Sequence, residues 1–173
     1  MAQYSELLAE HLGRSKEECR KIYYIALMHD TGKVRTPDRI LKKPGKLTSE
    51  EYDIIKLHTT DGASMLSDFT SIESIRDGAL YHHERYDGKG YPTGKAGTDI
   101  PFIGRLICVA DSFDAMNSKR CYRSRLSRDK IISEIKDNRG TQFDPEIADA
   151  LLDLIEEGTI IIEESGEQDE VER

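Results

Sequence analysis

Several features are scarce in this sequence, and each scarcity excludes a class of protein. No apolar run approaches the ~20 residues that a membrane-spanning helix needs, and the first residues lack the charged-then-apolar pattern of a signal peptide. We therefore expect no membrane segment in this chain. The three cysteines, Cys19, Cys108 and Cys121, are odd in number and share no zinc-like spacing, which indicates a reducing, cytoplasmic environment. Cys108 lies in an apolar stretch and is expected to be a small buried residue.

A surplus of basic residues is also missing. The 173 residues carry a formal net charge of −8. Residues 156–173 hold eight acids and one base, a net charge of −7, so residues 1–155 carry only −1. Neither part has the basic surface that binds duplex nucleic acid. The length suits one domain with a sizeable core. We expect a domain over residues 1–157, followed by a solvated acidic tail over residues 158–173.

Helix signals dominate the chain and predict an all-α fold. Two capping boxes mark helix starts, and they are Ser15-x-x-Glu18 and Thr48-x-x-Glu51. Apolar residues follow both boxes: the first helix carries Ile22, Ile25, Ala26 and Met28 toward His29, and the second has an apolar stripe of Tyr52, Ile55 and Leu57 that leads to His58. Further helices are predicted over residues 5–12, 39–41, 72–83, 103–117, 127–137 and 145–157. Residues 159–162 are compatible with a short strand, although no partner strand is evident.

Residues 84–101 differ from the rest of the chain. They contain four glycines and two prolines and have no apolar periodicity. This composition predicts a long irregular loop, and such loops in compact domains are usually functional.

Histidine is also scarce, yet four of the five histidines lie in motifs that suit metal binding. The candidate ligands are His29, Asp30, His58, His82, His83 and Asp111. A single histidine at a helix end is usually a cap or a surface residue, so the set matters more than its members. All six offer nitrogen or oxygen and none a thiolate, which argues against a structural zinc site and favours iron, manganese or zinc in a hydrolytic or redox site.

The arrangement of these candidates favours more than one metal ion. The carboxylate of Asp30 can bridge two cations while an adjacent imidazole binds one of them. Neighbours on a helix point about 100° apart, so His82 and His83 address different metals or lie where the helix frays. Asp111 has apolar neighbours and is costly to bury unless it is neutralised or coordinated. Two metals about 3.5–4 Å apart fit this pattern.

Ordered motifs then connect the chain to a known family. They are residues 29–33 (HDTGK), 37–41 (PDRIL), 43–48 (KPGKLT), His58, 82–92 (HHERYDGKGYP), 110–115 (ADSFDA) and 140–145 (GTQFDP). The chain resembles the HD-GYP subset of HD-domain phosphohydrolases over nearly its whole length to about residue 157. The resemblance implies a single HD-domain helical bundle, all-α, with a long irregular GYP loop. It also implies hydrolysis of cyclic di-GMP at a centre of two or three divalent metal ions.

The same resemblance implies roles for individual residues. It makes the six candidates above metal ligands, assigns catalysis to Asp30 and Lys33, and makes Lys33 and Arg120 contacts for the substrate phosphate. Arg85 and Tyr91 are further candidates for substrate binding. Their alternatives stay open: Lys33 and Arg120 can be ordinary surface bases, Arg85 can tie the loop together by ion pairs, and Tyr91 can pack the loop onto the core.

The chain departs from the family pattern at its start. The family usually carries another ligand histidine on a helix further before the His29-Asp30 pair than this chain extends. His11 lies too late to be that ligand and is expected at the surface. We therefore expect an N-terminally truncated domain in which one metal position is weak or empty. Thr31 and Thr59 also depart from the usual residues, with effects limited to packing around the ligands.

Three functions follow as hypotheses. The first is a metal-dependent phosphodiesterase that linearises cyclic di-GMP to pGpG, with GMP as a second product. The second is a catalytically impaired module that binds a cyclic dinucleotide or a protein partner for regulation. The third is a phosphohydrolase for another nucleotide, which the Gly90-Tyr91-Pro92 signature disfavours. The resemblance also implies an upstream sensor or receiver domain, and a homodimer stays open.

Overall fold

A computed structural model of the protein describes residues 1–118 and 126–162. The helices in these ranges are α1 (Ala2–His11), α2 (Lys16–Met28), α3 (Asp38–Leu41), α4 (Ser49–Met65), α5 (Ile75–Tyr81), α6 (Phe102–Asn117), α7 (Arg128–Asp137) and α8 (Pro145–Glu156). Two 3₁₀ helices cover Thr31–Arg35 and Gly97–Asp99. One isolated bridge between Arg139 and Phe143 is the only β pairing within the described ranges, so the predicted all-α fold is confirmed. None of these helices is long and apolar enough to cross a bilayer.

Both predicted capping boxes form, and they fix where α2 and α4 begin. The Ser15 hydroxyl accepts from the amide of Glu18 at 3.3 Å, and the Glu18 carboxylate accepts from the amide of Ser15 at 2.9 Å. Thr48 and Glu51 make the same exchange at 3.3 and 2.8 Å. Each box satisfies two backbone N–H groups that a helix start leaves without partners. The sequence thus sets the starts of the helix that precedes His29 and of the helix that contains His58.

The core forms around α6, which packs against α1, α5, α7 and α8. Nine of its sixteen residues are buried, as expected for a central helix that is apolar on most sides. Burying a large apolar side chain such as Phe113 stabilises a fold by about 1.5–3 kcal/mol. The largest fully buried apolar side chains are Leu8, Ile100, Leu106, Ile107, Phe113, Ile131, Ile135, Ile147 and Leu151.

Some details differ from the sequence prediction. Helix α5 begins at Ile75 rather than near residue 72, after Ser74 in the left-handed region at φ 64°. Leu57 is 54 % exposed, because a residue two positions beyond Ile55 lies about 200° around the helix and cannot share its stripe. Tyr52, in the same predicted apolar stripe, is also exposed.

The segment after α8 forms no strand, contrary to one reading of the sequence. Ile160 and Ile162 instead pack into the core, and the amide of Ile160 donates to the carbonyl of Leu154 at 3.0 Å. Packed structure therefore continues through Ile162, which lies four residues beyond Gly158, the glycine predicted to stop the last helix.

Candidate metal centre

Five elements bring the candidate ligands together, and one of them is α6, which contains Asp111. His29 follows the last residue of α2, and Asp30 precedes the first 3₁₀ helix. His58 lies within α4, and His82 follows the last residue of α5. The 3₁₀ helix approaches α4 so closely that a Cβ on Gly32 would collide with the carbonyl oxygen of His58. Only glycine permits this approach, which holds Asp30 beside His58.

Three of the imidazoles are oriented in the same way. In each, Nδ1 lies within hydrogen-bond distance of the backbone carbonyl three residues earlier: His29 with Ala26 at 2.7 Å, His58 with Ile55 at 2.5 Å, and His82 with Ala79 at 2.9 Å. A carbonyl accepts only, so Nδ1 carries the proton and donates. In the neutral ring the other nitrogen, Nε2, is then unprotonated and available as a metal ligand.

The Nε2 atoms meet around one carboxylate. Oδ1 of Asp30 lies 3.5 Å from Nε2 of His58 and 3.7 Å from Nε2 of His82. The two Nε2 atoms lie 3.2 Å from each other. With His83, these side chains offer one ligand atom each within 4.8 Å of one another.

His29 extends this cluster toward α6. Its Nε2 lies 3.2 Å from Oδ2 of Asp30 and 3.8 Å from Oδ1 of Asp111. The structure therefore gathers all six candidates into one region. Four of them, Asp30, His82, His83 and Asp111, line a cavity, while His29 and His58 are buried next to them.

The unsatisfied atoms of this cluster fit a divalent cation. The Nε2 atoms of His58 and His82 direct lone pairs at each other when Nδ1 holds the proton. Nε2 of His29 and Oδ1 of Asp30 are buried and have no hydrogen-bond partner among the described residues. Leaving one such atom unpaired costs about 1–3 kcal/mol. Cations between the imidazoles and the carboxylate would satisfy all four atoms, so the donor set fits metal binding.

The electrostatics of the cluster favour the forms that coordinate metal. Burial raises the pKa of the Asp30 carboxyl, but the imidazoles of His29 and His82 and the ammonium of Lys33 outweigh it, and the pKa lies well below its usual range. Burial lowers the pKa of His58, and it lowers the pKa of His83 to about 2 with a further contribution from neighbouring imidazoles. Both imidazoles are therefore neutral at physiological pH.

The pKa of His29 shifts in the opposite direction. Burial lowers its pKa, but the carboxylates of Asp30 and Asp111 outweigh burial and raise it above the usual value. The thiol of Cys108, which also lines the cavity, has its pKa raised to about 12 by burial. It is therefore a protonated thiol at physiological pH, and the thiolate is the form that binds metal. The predicted burial of Cys108 is confirmed.

The cavity beside the cluster has a volume of about 510 Å³. Its wall carries cationic side chains and aromatic rings. The cations are Lys33, Arg85 and Lys89, and the tyrosines are Tyr52 and Tyr91. The ammonium of Lys33 donates to Oδ2 of Asp30 at 2.5 Å. The ring of Tyr91 stacks on His83, with centroids 4.9 Å apart and an angle of 25° between the planes. The cavity therefore joins the cluster to solvent through a wall suited to an anionic, partly aromatic ligand.

The loop of residues 84–101 is held by Glu84, a residue to which the sequence analysis assigned no role. Its side chain is buried at 2 % exposure. Its carboxylate accepts from the amide and hydroxyl of Thr93 at 2.6 and 2.7 Å and from the amide of Gly94 at 3.1 Å. One buried acid thus closes the loop on itself.

A second set of bonds ties the loop to the rest of the fold. The guanidinium of Arg85 donates to Asp87 at 2.9 and 3.0 Å and to the side-chain oxygen of Gln142 at 3.1 Å. The side-chain amide of Gln142, through Nε2, donates to the hydroxyl of Ser112, the neighbour of Asp111, at 3.2 Å. These contacts match the loop-tying alternative for Arg85, and its predicted role in substrate binding stays a prediction.

The remaining predicted residues divide into two groups. Lys33 and Tyr91 line the cavity, as a substrate contact must, whereas Arg120 lies outside the described residues. His11 is exposed, as predicted, and lies 3.6 Å from Asp153. The sequence prediction missed the contributions of Glu84, Gln142 and Tyr52. The first two sit in the quoted motifs, but bonds between irregular segments leave no periodic signal in a sequence.

Comparisons with known proteins agree with this geometry. A family model described as HD domain matches residues 1–147. The chain is 44 % identical over 155 residues to a cyclic di-GMP phosphodiesterase response regulator of Xanthomonas campestris pv. campestris, covering 88 % of this chain and 41 % of that protein. It is 37 % identical over 155 residues to a 3'3'-cGAMP-specific phosphodiesterase 2 of Vibrio cholerae, covering 88 % of this chain and 30 % of that protein.

Among solved structures, an HDG"Y"P protein from Bdellovibrio bacteriovorus superposes with a TM-score of 0.70 at 19 % identity, covering 90 % of this chain and 50 % of that one. At that identity the likeness shows a shared fold. The chain spans less than half the length of the two curated relatives.

Proposed function

Because the chain belongs to the HD domain family, we propose that it is the catalytic domain of a metal-dependent phosphodiesterase that hydrolyses cyclic di-GMP. The observation that carries this proposal is the cluster of Asp30 and the histidines, whose buried Nε2 and Oδ1 atoms lack partners within the described ranges. Relatives that are named cyclic di-GMP or cGAMP phosphodiesterases support the substrate class.

The proposed ligands are the six residues predicted from the sequence, holding two or three divalent ions, with iron or manganese favoured by the nitrogen and oxygen donors and zinc as the alternative. They are His29, Asp30, His58, His82, His83 and Asp111. When bound, such ions lower the pKa of a water molecule from 15.7 toward about 7 and neutralise charge on a phosphate.

The side chains themselves orient the ligands and the substrate. The Nδ1 bonds of His29, His58 and His82 fix their tautomers, so that Nε2 faces the cluster. The ammonium of Lys33 holds Oδ2 of Asp30 and has further N–H donors for a nonbridging phosphate oxygen. We propose that Lys33 acts in this double role with Asp30, and that Arg120 and Arg85 add positive charge near the phosphate.

The proposed reaction opens the cyclic dinucleotide at one phosphodiester to give pGpG, with GMP as the product of a second hydrolysis. The cavity of about 510 Å³ is in the range of small-molecule sites and is lined by three cations. A cation-lined wall suits a substrate that carries two phosphodiester charges.

Turnover by the metal-loaded protein tests this function. The protein is loaded with Mn²⁺, or with Fe²⁺ without oxygen, and incubated with cyclic di-GMP, and the nucleotides are separated by chromatography. We expect pGpG with the wild type and no product with Asp30→Ala, which should also lose metal while its circular dichroism is unchanged. Asp38→Ala, which removes an exposed carboxylate paired with Lys42, is the control and should hydrolyse normally.

Two results would count against the proposal. Normal hydrolysis by Asp30→Ala would overturn the assignment of Asp30. Tight binding of cyclic di-GMP by the metal-loaded wild type without any product would favour the regulatory module instead.

A further inference from the structure

Tyr52 is the aromatic residue of the cavity wall that neither the fold nor the metal cluster uses. It lies in the first turn of α4, lines the cavity, and is 48 % exposed. A single exposed aromatic side chain on a protein surface is ordinary. This one differs because its exposed surface forms part of the wall beside the candidate metal centre.

An aromatic series runs from the cluster to Tyr52. His83 stacks on Tyr91, and the ring of Tyr91 meets that of Tyr52 with centroids 6.2 Å apart at 80°. Along α4, Tyr52 precedes His58 by six residues, which is about 9 Å of helix axis. A nucleotide whose phosphate lies at the cluster extends its base over a comparable distance. Tyr52, which lines the same cavity, is therefore within reach of the base of such a nucleotide.

The surroundings of Tyr52 hold its ring while leaving surface free. The ammonium of Lys56 lies 5.2 Å from the ring centroid and is itself paired with Asp53 at 2.6 Å. A cation over an aromatic face is attractive. With Tyr91 on another side, the ring has two fixed neighbours, and nearly half of the residue still faces solvent.

We propose that Tyr52 provides a stacking surface for one purine base of the cyclic dinucleotide, an inference that rests on the proposed function. Tyrosine rings stack on every nucleobase, because each base has a π face. The cations around the cavity attract the phosphates, whereas an aromatic ring at this place recognises that the ligand carries bases. Tyr52 would thus make the site selective for a cyclic dinucleotide over phosphodiesters that lack nucleobases.

The test compares Tyr52→Ala, Tyr52→Leu and Tyr52→Phe with the wild type. The probe is a cyclic dinucleotide in which 2-aminopurine replaces one guanine, because stacking on a ring quenches its fluorescence. We expect Tyr52→Ala and Tyr52→Leu to weaken binding on the order of 5- to 150-fold and to reduce quenching. Tyr52→Phe should retain both, and the kcat for cyclic di-GMP should change less than KM in every variant.

Tyr24→Ala is the matched control, since Tyr24 is also an exposed helical tyrosine, at 41 %, but does not line the cavity. Metal content and circular dichroism should be the same in all variants. Wild-type affinity and quenching in either Tyr52→Ala or Tyr52→Leu would overturn the inference. An unquenched probe on the wild type would overturn it as well. Quenched binding by the wild type without turnover would support the stacking surface while contradicting the proposed enzymatic function.

Discussion

The histidine cluster and the loop of residues 84–101 lie side by side, yet they are held in opposite ways. Each of His29, His58 and His82 is oriented by a carbonyl three residues earlier in its own segment. Besides the local pair of Arg85 with Asp87, the loop is held by bonds that reach nine or more residues away, from Glu84 to Thr93 and from Arg85 to Gln142. Local geometry therefore builds the ligands, whereas tertiary contacts build the wall beside them.

The two regions also differ in how well their polar atoms are satisfied. The buried carboxylate of Glu84 has three donors at hydrogen-bond distance. In the cluster, Nε2 of His29 and Oδ1 of Asp30 find none among the described residues. Protein groups satisfy the loop carboxylate, while the cluster leaves buried nitrogen and oxygen atoms that a cation would satisfy. Substitutions in the two regions should therefore have separable effects on metal content and on substrate affinity.

The largest effect is expected from breaking the cluster. His58→Ala removes a side chain that is only 1 % exposed and contacts both Asp30 and His82. Turnover should fall by at least about 100-fold, because even residues that only support a ligand cost 10–100-fold. Bound metal, measured by elemental analysis, should fall in parallel. His11→Ala is the control, and a full complement of metal in His58→Ala would contradict the assignment of His58.

A smaller effect is expected from breaking the backbone of the loop. A Cβ on Gly90 would collide with the amide nitrogen of Arg85 and lie 2.5 Å from Cα of Glu84. Gly90→Ala should therefore displace the loop and lower kcat/KM by about 10–100-fold, the range found when the support of a site is disturbed. Metal content should not change.

Thr98→Ala, which alters an exposed residue of the same loop, is the control for this variant. Loss of metal from Gly90→Ala would show that the loop and the cluster are not independent, and would contradict the separable effects expected of the two regions.

The contrast between local and tertiary contacts also explains which parts of these two regions could be predicted from the sequence. The capping boxes, the helices of the histidines and the six clustered side chains were predicted, because capping and ligand motifs depend on neighbours along the chain. The irregular loop was predicted only as a loop. The bonds of Glu84 and the pairing of Gln142 with Arg85 depend on which segments meet in space, and no short-range pattern encodes that. The exposure of Leu57, by contrast, follows from the period of the helix and was predictable from the sequence.

A third prediction concerns the charge that closes the loop. Glu84→Gln places an NH₂ group where the amide of Gly94 needs an acceptor. Bonds to a charged group contribute about 1.5–3 kcal/mol each, so cleavage by a protease within residues 84–101 should become faster and KM should rise about 10-fold. Glu17→Gln, which alters an exposed pair with Lys21, should leave both unchanged. Equal protease resistance in Glu84→Gln and the wild type would remove Glu84 from its role in the loop.

The smallest effect is expected far from both regions. Thr48→Ala removes one half of the capping box of α4 and should lower the free energy of unfolding by about 1 kcal/mol. Ser15→Ala should do the same for α2, and the double variant should lose the sum, since the two boxes belong to separate helix starts. Urea denaturation measures these changes, and turnover should be unaffected. A cost well above the sum in the double variant would reveal coupling between α2, which precedes His29, and α4, which contains His58.

The contact between Gly32 and the carbonyl of His58 has a consequence for how the centre assembles. Because no side chain separates the first 3₁₀ helix from α4, two of the proposed ligand-bearing segments already touch through their main chains when the polypeptide folds. Small zinc domains, by contrast, gain their shape from the ion itself. Here we expect a chelator to remove bound metal ions and leave the protein folded, so that metal can bind again without refolding.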